Sequence, residues 1–185
     1  MQKDFIPAAA PLIGDDEVAA VERVLRSGML AQGPEVAAFE REFATQFVEG
    51  RTTVAVNSGT SGQLLGLLAS GVGPGDEVIV PSFTFAAVAN SVVLAGATPV
   101  FVDIEPRHFT LDPARVRAAV TARTKGIMPV HLYGHPFLVD DIEEVAGDHG
   151  MDIYEDAAQA HGAAWRGRPG PSAGSACSAS TRRRT

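Results

Sequence analysis

Apolar residues recur along this chain with two alternating periods. Near the start, Val18, Val21 and Leu25 fall at helical spacing, with Asp15 or Asp16 placed to cap the helix and Gly28 to end it. A second helix is predicted from Pro34, with Val36, Phe39, Phe43 and Phe47 on one face. A short β-rich run, Thr53 to Val56, reads as a strand, and a helix follows from about Ser61 carrying Leu64, Leu65, Leu67 and Leu68. The segment GVGPGDE turns the chain into a buried strand, Glu77 to Val80.

The same cycle then repeats. Helices are predicted over Phe85 to Ala95, Asp112 to Val120 and Asp140 to His149; strands are predicted over Pro99 to Val102, Gly126 to Val130 and Asp152 to Tyr154. Apolar strands alternating with helices define an α/β fold, a mainly parallel sheet with helices on both faces. Ligands of such sheets sit beyond the carboxyl ends of the strands, so chemistry is expected just after each strand.

Composition narrows the class. The chain has 185 residues, 45% hydrophobic and 20% charged, enough for one real core. A net charge of -7 argues against nucleic acid as a partner. No apolar run approaches the ~20 residues of a membrane span. The opening MQKDFIPAAAPLIGDDE is broken by prolines and acids and does not read as a signal peptide, which leaves the cytoplasm as the expected compartment. Cys177 is the only cysteine, so neither an internal disulfide nor a cysteine-based zinc site is expected.

Three segments after strands carry candidate chemistry. After Val56 the chain reads NSGTSG: a tight turn through Gly59, then Thr60 and Ser61 opening a helix, whose amides and hydroxyls suit a phosphate. An ordinary capped turn would look the same. After Val80 it reads PSFTF, where Phe83 and Phe85 can stack on a flat ring or simply fill the core. After Tyr154 it reads EDAAQAHG. Asp156 there points a carboxylate into the cleft, suited to a protonated pyridine nitrogen, or else caps a helix. Gln159 lies three residues on, within reach of such a ring's phenolic oxygen, whereas His161 reads as structural.

Rival sites are poorly supported. The glycines Gly71, Gly73 and Gly75 precede a strand and lack the G-x-G-x-x-G spacing of a dinucleotide site. His108, His131, His135 and His149 show no metal-ligand spacing, and no G-x-S-x-G elbow is present.

Taken together, SGMLAQGP, NSGTSG, GPGDEVIVPSFTF, AGATPVFVDIEP, TKGIMPVHLYGHP and EDAAQAHGA resemble, in order, the signature blocks of the DegT/DnrJ-type sugar aminotransferases, over about residues 5 to 169. The resemblance implies a fold-type I enzyme with an aspartate-aminotransferase-like large domain, truncated here, and pyridoxal 5'-phosphate (PLP) as cofactor. It implies an amino-acid donor such as glutamate or glutamine, a nucleotide-linked keto sugar as acceptor, and usually a homodimer with shared sites. It implies that Gly59, Thr60 and Ser61 hold the cofactor phosphate, that Phe85 stacks on the ring, that Asp156 pairs with the pyridine nitrogen and that Gln159 meets the phenolic oxygen. The domain organisation expected is an N-terminal lead-in, residues 1–34, and a partial PLP-binding large domain, residues 35–169.

One block departs from the pattern. PLP transamination needs a lysine that bonds the cofactor and shuttles a proton. The family carries it shortly after the aspartate block, in a segment resembling SFYPTKN. Here the two lysines are Lys3, near the N-terminus, and Lys125, ahead of a strand and away from the cleft. In place of the lysine block stands GPSAGSACSASTRRRT, without apolar period. Every residue from Gly170 to Thr185 is of a type encoded with G or C at the second codon base, as expected where one lost base turns the wobble position of a G/C-rich gene into the middle one; 13 arginines against two lysines agree. Re-dividing such codons by one base permits SFGGFSVFSLYPTKN, which restores the lysine block. Residues 170–185 are therefore expected to be a frame-shifted tail, Cys177 and Arg182 to Arg184 to be its products, and the chain as written to be inactive. The restored Pro-Thr-Lys-Asn argues against a related sugar dehydratase that uses histidine for the lysine. The alternative is a non-catalytic product: a pseudogene fragment, or a partner of a full-length subunit.

Overall fold

The structure is a computed structural model and describes residues 10–166, 168–169 and 178–179. The expected frame-shifted tail, with Cys177 and Arg182 to Arg184, lies outside the described residues apart from the backbone of Ser178 and Ala179. Two compact units divide between Phe39 and Glu40.

In the first unit, helix α1 runs over Asp15–Ser27. Its cap position is Gly14 rather than Asp15 or Asp16: the Gly14 amide donates to the Glu17 carboxylate at 2.7 Å, and the three acids Asp15, Asp16 and Glu17 fill the first turn, where the helix dipole favours negative charge. Gly28 ends the helix in the left-handed region (φ 72°), as its position predicted. The stripe Val18, Val21 and Leu25 is amphipathic as read but exposed, and α1 buries no residue. Helix α2 starts at Pro34, as predicted, and runs to Phe47.

The second unit is built on the sheet. Strands β1 (Glu77–Pro81), β2 (Thr98–Val102), β3 (Thr124–Ile127) and β4 (Asp152–Glu155) are parallel, in the order β2-β1-β3-β4. Two-residue pieces follow: β5 (Ala164–Trp165) pairs antiparallel with β6 (Arg168–Pro169), and β7 (Ser178–Ala179) pairs antiparallel with β4. Successive parallel strands are bridged by helices α4 (Ala87–Leu94), α5 (Pro113–Ala119) and α6 (Val139–His149); α3 (Gly59–Ala69) precedes β1.

The period of two along each strand sorts its side chains onto two cores. Val78 and Val80 of β1, with Met128 and Tyr154, pack against Leu67 of α3 and Val88 and Val92 of α4. Ile79, Ile127 and Ile153 face the other way, against Val116 of α5 and Ile142 and Val145 of α6. The strand order reverses between β1 and β3, whose outgoing chains leave toward β2 and β4 respectively. That reversal opens a crevice at the carboxyl ends of β1 and β3.

Two predicted elements change. Residues 53–56 form no strand: a strand needs a ladder partner, and none among the described residues reaches this segment. Instead Ala55 donates its amide to the Glu40 carboxylate at 2.8 Å. The third parallel strand ends at Ile127 instead of Val130, because the Met128 amide makes the last bond to β1, to Ile79 O at 2.8 Å, and beyond it Val130 alone bridges onward to Asp156. Lys125 accordingly lies inside β3, near its amino end, rather than ahead of it. Helix α3 begins at Gly59, two residues before the predicted start, because Ser58 takes the cap.

Candidate active site

Residues 57–63 turn the chain into α3. Ser58 is extended (φ -163°, ψ 157°), and its hydroxyl oxygen accepts the Ser61 amide at 3.1 Å, with the two hydroxyls 2.9 Å apart. The capping duty expected somewhere among these hydroxyls thus falls on Ser58. The first helical amides, those of Gly59 and Thr60, have no acceptor within the helix and face outward with the positive end of its dipole. Thr60 and Ser61 are half-buried.

One turn into the same helix sits Gln63, only 4% exposed. Its Nε2 donates to Asp156 Oδ2 at 2.6 Å, across 93 residues of sequence. The other carboxylate oxygen, Oδ1, accepts the Ala158 amide at 3.0 Å, a local turn rather than a helix cap. The backbone of Asp156 is fixed too: its amide donates to Pro129 O and its carbonyl accepts from His131 N, each at 3.0 Å, continuing the parallel ladder for one bridge beyond β3 and β4. Asp156 is 9% exposed, and no ion pair among the described residues reaches it. Burial pushes its carboxyl above the usual range, opposed by the Ala158 and Gln63 hydrogen bonds.

Gln159 is exposed beside it. Its Oε1 accepts the Tyr133 amide at 2.7 Å, which commits the oxygen and leaves the NH2 as its outward-facing donor. Tyr133 is held in the left-handed region (φ 55°, ψ 26°), uncommon for a bulky side chain. Gly134 next to it has φ 84°, and a Cβ there would come 3.3 Å from Gln159 O, so the turn after β3 and the turn after β4 interlock where only glycine fits.

His131, on the same loop, is 1% exposed. Its Nδ1 accepts the Phe137 amide at 3.4 Å, its ring packs 4.5 Å from that of Phe137, and its Nε2 has no partner among the described residues. Burial lowers its pKa to about 4, so the ring is neutral.

Phe83 and Phe85 follow β1 and are both exposed, Phe85 to 74%, so neither fills the core. Phe83 lies 6.3 Å from the exposed ring of Phe109. His161 packs edge-on to Phe43 and Phe47 at 5.9 and 6.4 Å, in keeping with a structural role.

The fold brings the start of α3 against Asp156 through Gln63, and brings Gln159 against the loop after β3. Phe85 stands at the carboxyl end of the neighbouring strand, linked to the others by the sheet alone. Gln63 and Tyr133 escaped the sequence reading, and His131 entered it only as a histidine without metal-ligand spacing. The signal for Gln63 was a polar side chain inside an otherwise apolar helix that must pack on a sheet.

A doubly wound parallel sheet with a capped helix start and a buried acid near the carboxyl ends of its strands defines the class, an α/β domain. The chain belongs to the DegT/DnrJ/EryC1/StrS aminotransferase family, whose profile matches residues 11–181. It is 53% identical over 150 residues to dTDP-3-amino-3,4,6-trideoxy-alpha-D-glucose transaminase of Streptomyces venezuelae, covering 81% of this chain and 39% of that one. Among solved structures, DesV of S. venezuelae superimposes with a TM-score of 0.79 at 52% identity, over 82% of this chain and 41% of the other. NtdA of Bacillus subtilis, solved with its bound cofactor PMP, gives 0.76 at 37% identity, over 86% and 39%. The chain spans about 40% of the length of the curated relatives it matches.

Proposed function

We propose that this chain supplies the cofactor-anchoring part of a PLP-dependent aminotransferase that moves an amino group, from an amino-acid donor such as glutamate or glutamine, onto a nucleotide-linked keto sugar. The family, the transaminase named above and the PMP-bound relative support that reading. The observation that carries it is Asp156: a desolvated acid, held at both oxygens, at the carboxyl end of a parallel sheet and without a cation among the described residues. A protonated pyridine nitrogen is the counter-charge such a site fits, because pairing offsets the cost of burying the carboxylate.

In this assignment residues 35–169 form the partial cofactor domain, residues 1–34 lead into it, and residues 170–185 are the frame-shifted tail. The amides of Gly59 and Thr60, with the hydroxyls of Thr60 and Ser61, receive the phosphate. Phe85 covers the ring, and the NH2 of Gln159 donates to its phenolic oxygen. PLP, when bound, supplies an electron sink for breaking bonds at the amino carbon, and Asp156 strengthens the sink by keeping the ring nitrogen protonated. The partner of a cytoplasmic homodimer completes the site.

The lysine is missing from this arrangement. Lys125 stands near the amino end of β3, while Asp156 follows the carboxyl end of β4, so the chain alone holds PLP without a covalent bond and does not turn over. The test is to dialyse the purified chain against PLP. Saturable binding that inorganic phosphate competes away, with no visible band of a lysine-bound cofactor, is expected. Asp156→Asn should weaken it ~10-fold, about 1.4 kcal/mol. Absence of saturable binding, or equal binding by that variant, overturns the assignment. Sequencing the gene past the codon for Pro169 decides whether a lysine block lies in the shifted frame.

A further inference from the structure

We propose that Gln63 is the positioning residue of Asp156, a strut that sets the acid at a fixed height above the phosphate-binding end of α3; the inference rests on the cofactor reading just given. Three observations carry it. Gln63 is buried in α3, its Nε2 donates to Asp156 Oδ2 at 2.6 Å, and its Oε1 is buried without a partner among the described residues. A buried amide that leaves its acceptor unpaired has committed its donor to one contact, and removal of that contact leaves two buried groups unsatisfied rather than one.

Placement gives the contact a purpose. Thr60 and Gln63 are three residues apart and therefore share one side of α3. A phosphorylated pyridine has its phosphate at one end and its ring nitrogen across the ring. A site for it needs its anion pocket and its acid held at one separation, yet these come from segments nearly a hundred residues apart. Ala158 restrains Asp156 only within its own turn. Gln63 is the side chain that ties it to the helix.

The amide also tolerates either protonation state of its partner. Toward a carboxylate it donates Nε2, as seen. Toward a protonated acid it turns over and accepts through the now idle Oε1. Of the titratable groups on the segments around Asp156, the His131 imidazole, neutral through burial, and the Tyr154 phenol are buried; Lys125, Asp152, Glu155, Tyr133, His135 and His161 are not, and none of them forms an ion pair with Asp156 among the described residues. Gln63 is thus the side chain whose hydrogen bond favours the ionised acid, together with the Ala158 amide.

The experiment follows the Asp156 carboxyl carbon by 13C NMR through a pH titration of the 185-residue chain, with Asp156→Asn identifying the signal, in the wild type, Gln63→Met and Gln63→Glu. Loss of the donor in Gln63→Met should raise the titration midpoint. Gln63→Glu, whose carboxylate repels the one beside it, should raise it further and remains readable if Gln63→Met does not fold. PLP affinity measured alongside by dialysis should fall in both. An unmoved midpoint in a folded variant overturns the proposal. A moved midpoint with no PLP binding in any form, wild type included, leaves the strut standing and removes the cofactor reading. Unchanged midpoint and PLP affinity do the reverse.

Discussion

The two ends of the parallel sheet each bury an acid, and they treat it in opposite ways. At the amino end, Glu77 opens β1 at 5% exposure, and its carboxylate accepts from the Thr121 hydroxyl and the Arg123 guanidinium. The Thr121 bond is the main reason its carboxyl sits below the usual range, with Arg123 adding to it against desolvation. At the carboxyl end, Asp156 has two neutral donors and, among the described residues, no cation, and its carboxyl sits above the usual range because desolvation dominates. The first acid is complete within the chain and locks the turn before β3 against β1. The second is held by neutral donors alone among the described residues, the arrangement expected of the site proposed for a cationic ring nitrogen rather than of a structural ion pair.

The comparison depends on strand registry, and Gly126 is where it breaks most severely. A Cβ at Gly126 would stand 2.5 Å from the Tyr154 ring and 2.7 Å from Asp152 O, so β3 and β4 would have to separate. Gly126→Ala should cost about 3 kcal/mol in urea unfolding and should displace Asp156, which hangs from the Val130 bridge just beyond that pair.

Next in size is the acid limb of stability. His131 titrates near 4 in the folded chain against 6.5 for an ordinary histidine. Its folded pKa is lowered, so between those values the unfolded chain binds the extra proton and stability falls as pH falls. About 3 kcal/mol should be lost from pH 6.5 to 4, and His131→Gln should flatten that slope in urea midpoints taken at several pH values. Glu77 adds to the same trend, since its lowered carboxyl stabilises above the unfolded pKa and stops doing so as pH falls through the folded one. Asp156 opposes it: its carboxyl is raised, so its ionisation reduces stability as pH rises through and above 3.8.

The sharpest form of the contrast is a pair of amides. Glu77→Gln should lower the urea midpoint at pH 7, because the Arg123 partner loses its anion. Asp156→Asn should raise it, because the unpaired charge is removed and the new NH2 can donate to Gln63 Oε1 after the amide turns. Opposite signs support the distinction between the two ends, whereas a loss in both erases it. The smallest expected effect on stability is that of Phe85→Ala, within about 0.5 kcal/mol for so exposed a ring, while PLP affinity falls; equal PLP affinity would leave Phe85 outside the site.

The sequence was most legible where the cause is local. The apolar runs at Val78–Val80 and Ile153–Tyr154 and the Asp112–Pro113 start of α5 follow from neighbours a few residues away, and they appear where the pattern put them. Residues 53–56 have the composition of a strand but no partner to ladder with, and pairing is not a local property. The stripe of α1 shows the same limit, since amphipathic spacing fixes which side is apolar but not whether anything covers it.

The site divides along the same line. Glycine, hydroxyls, aromatics and an acid after successive strands are written in sequence order, and the rule that ligands gather at the carboxyl ends of strands is enough to collect them. Which hydroxyl caps α3, which amide holds Asp156 and whether any cation reaches that acid were decided by tertiary structure. Those facts depend on contacts across 93 residues of chain and on the loss of water around the carboxylate, and a charge's environment in a fold is set by what is packed against it rather than by what adjoins it along the backbone.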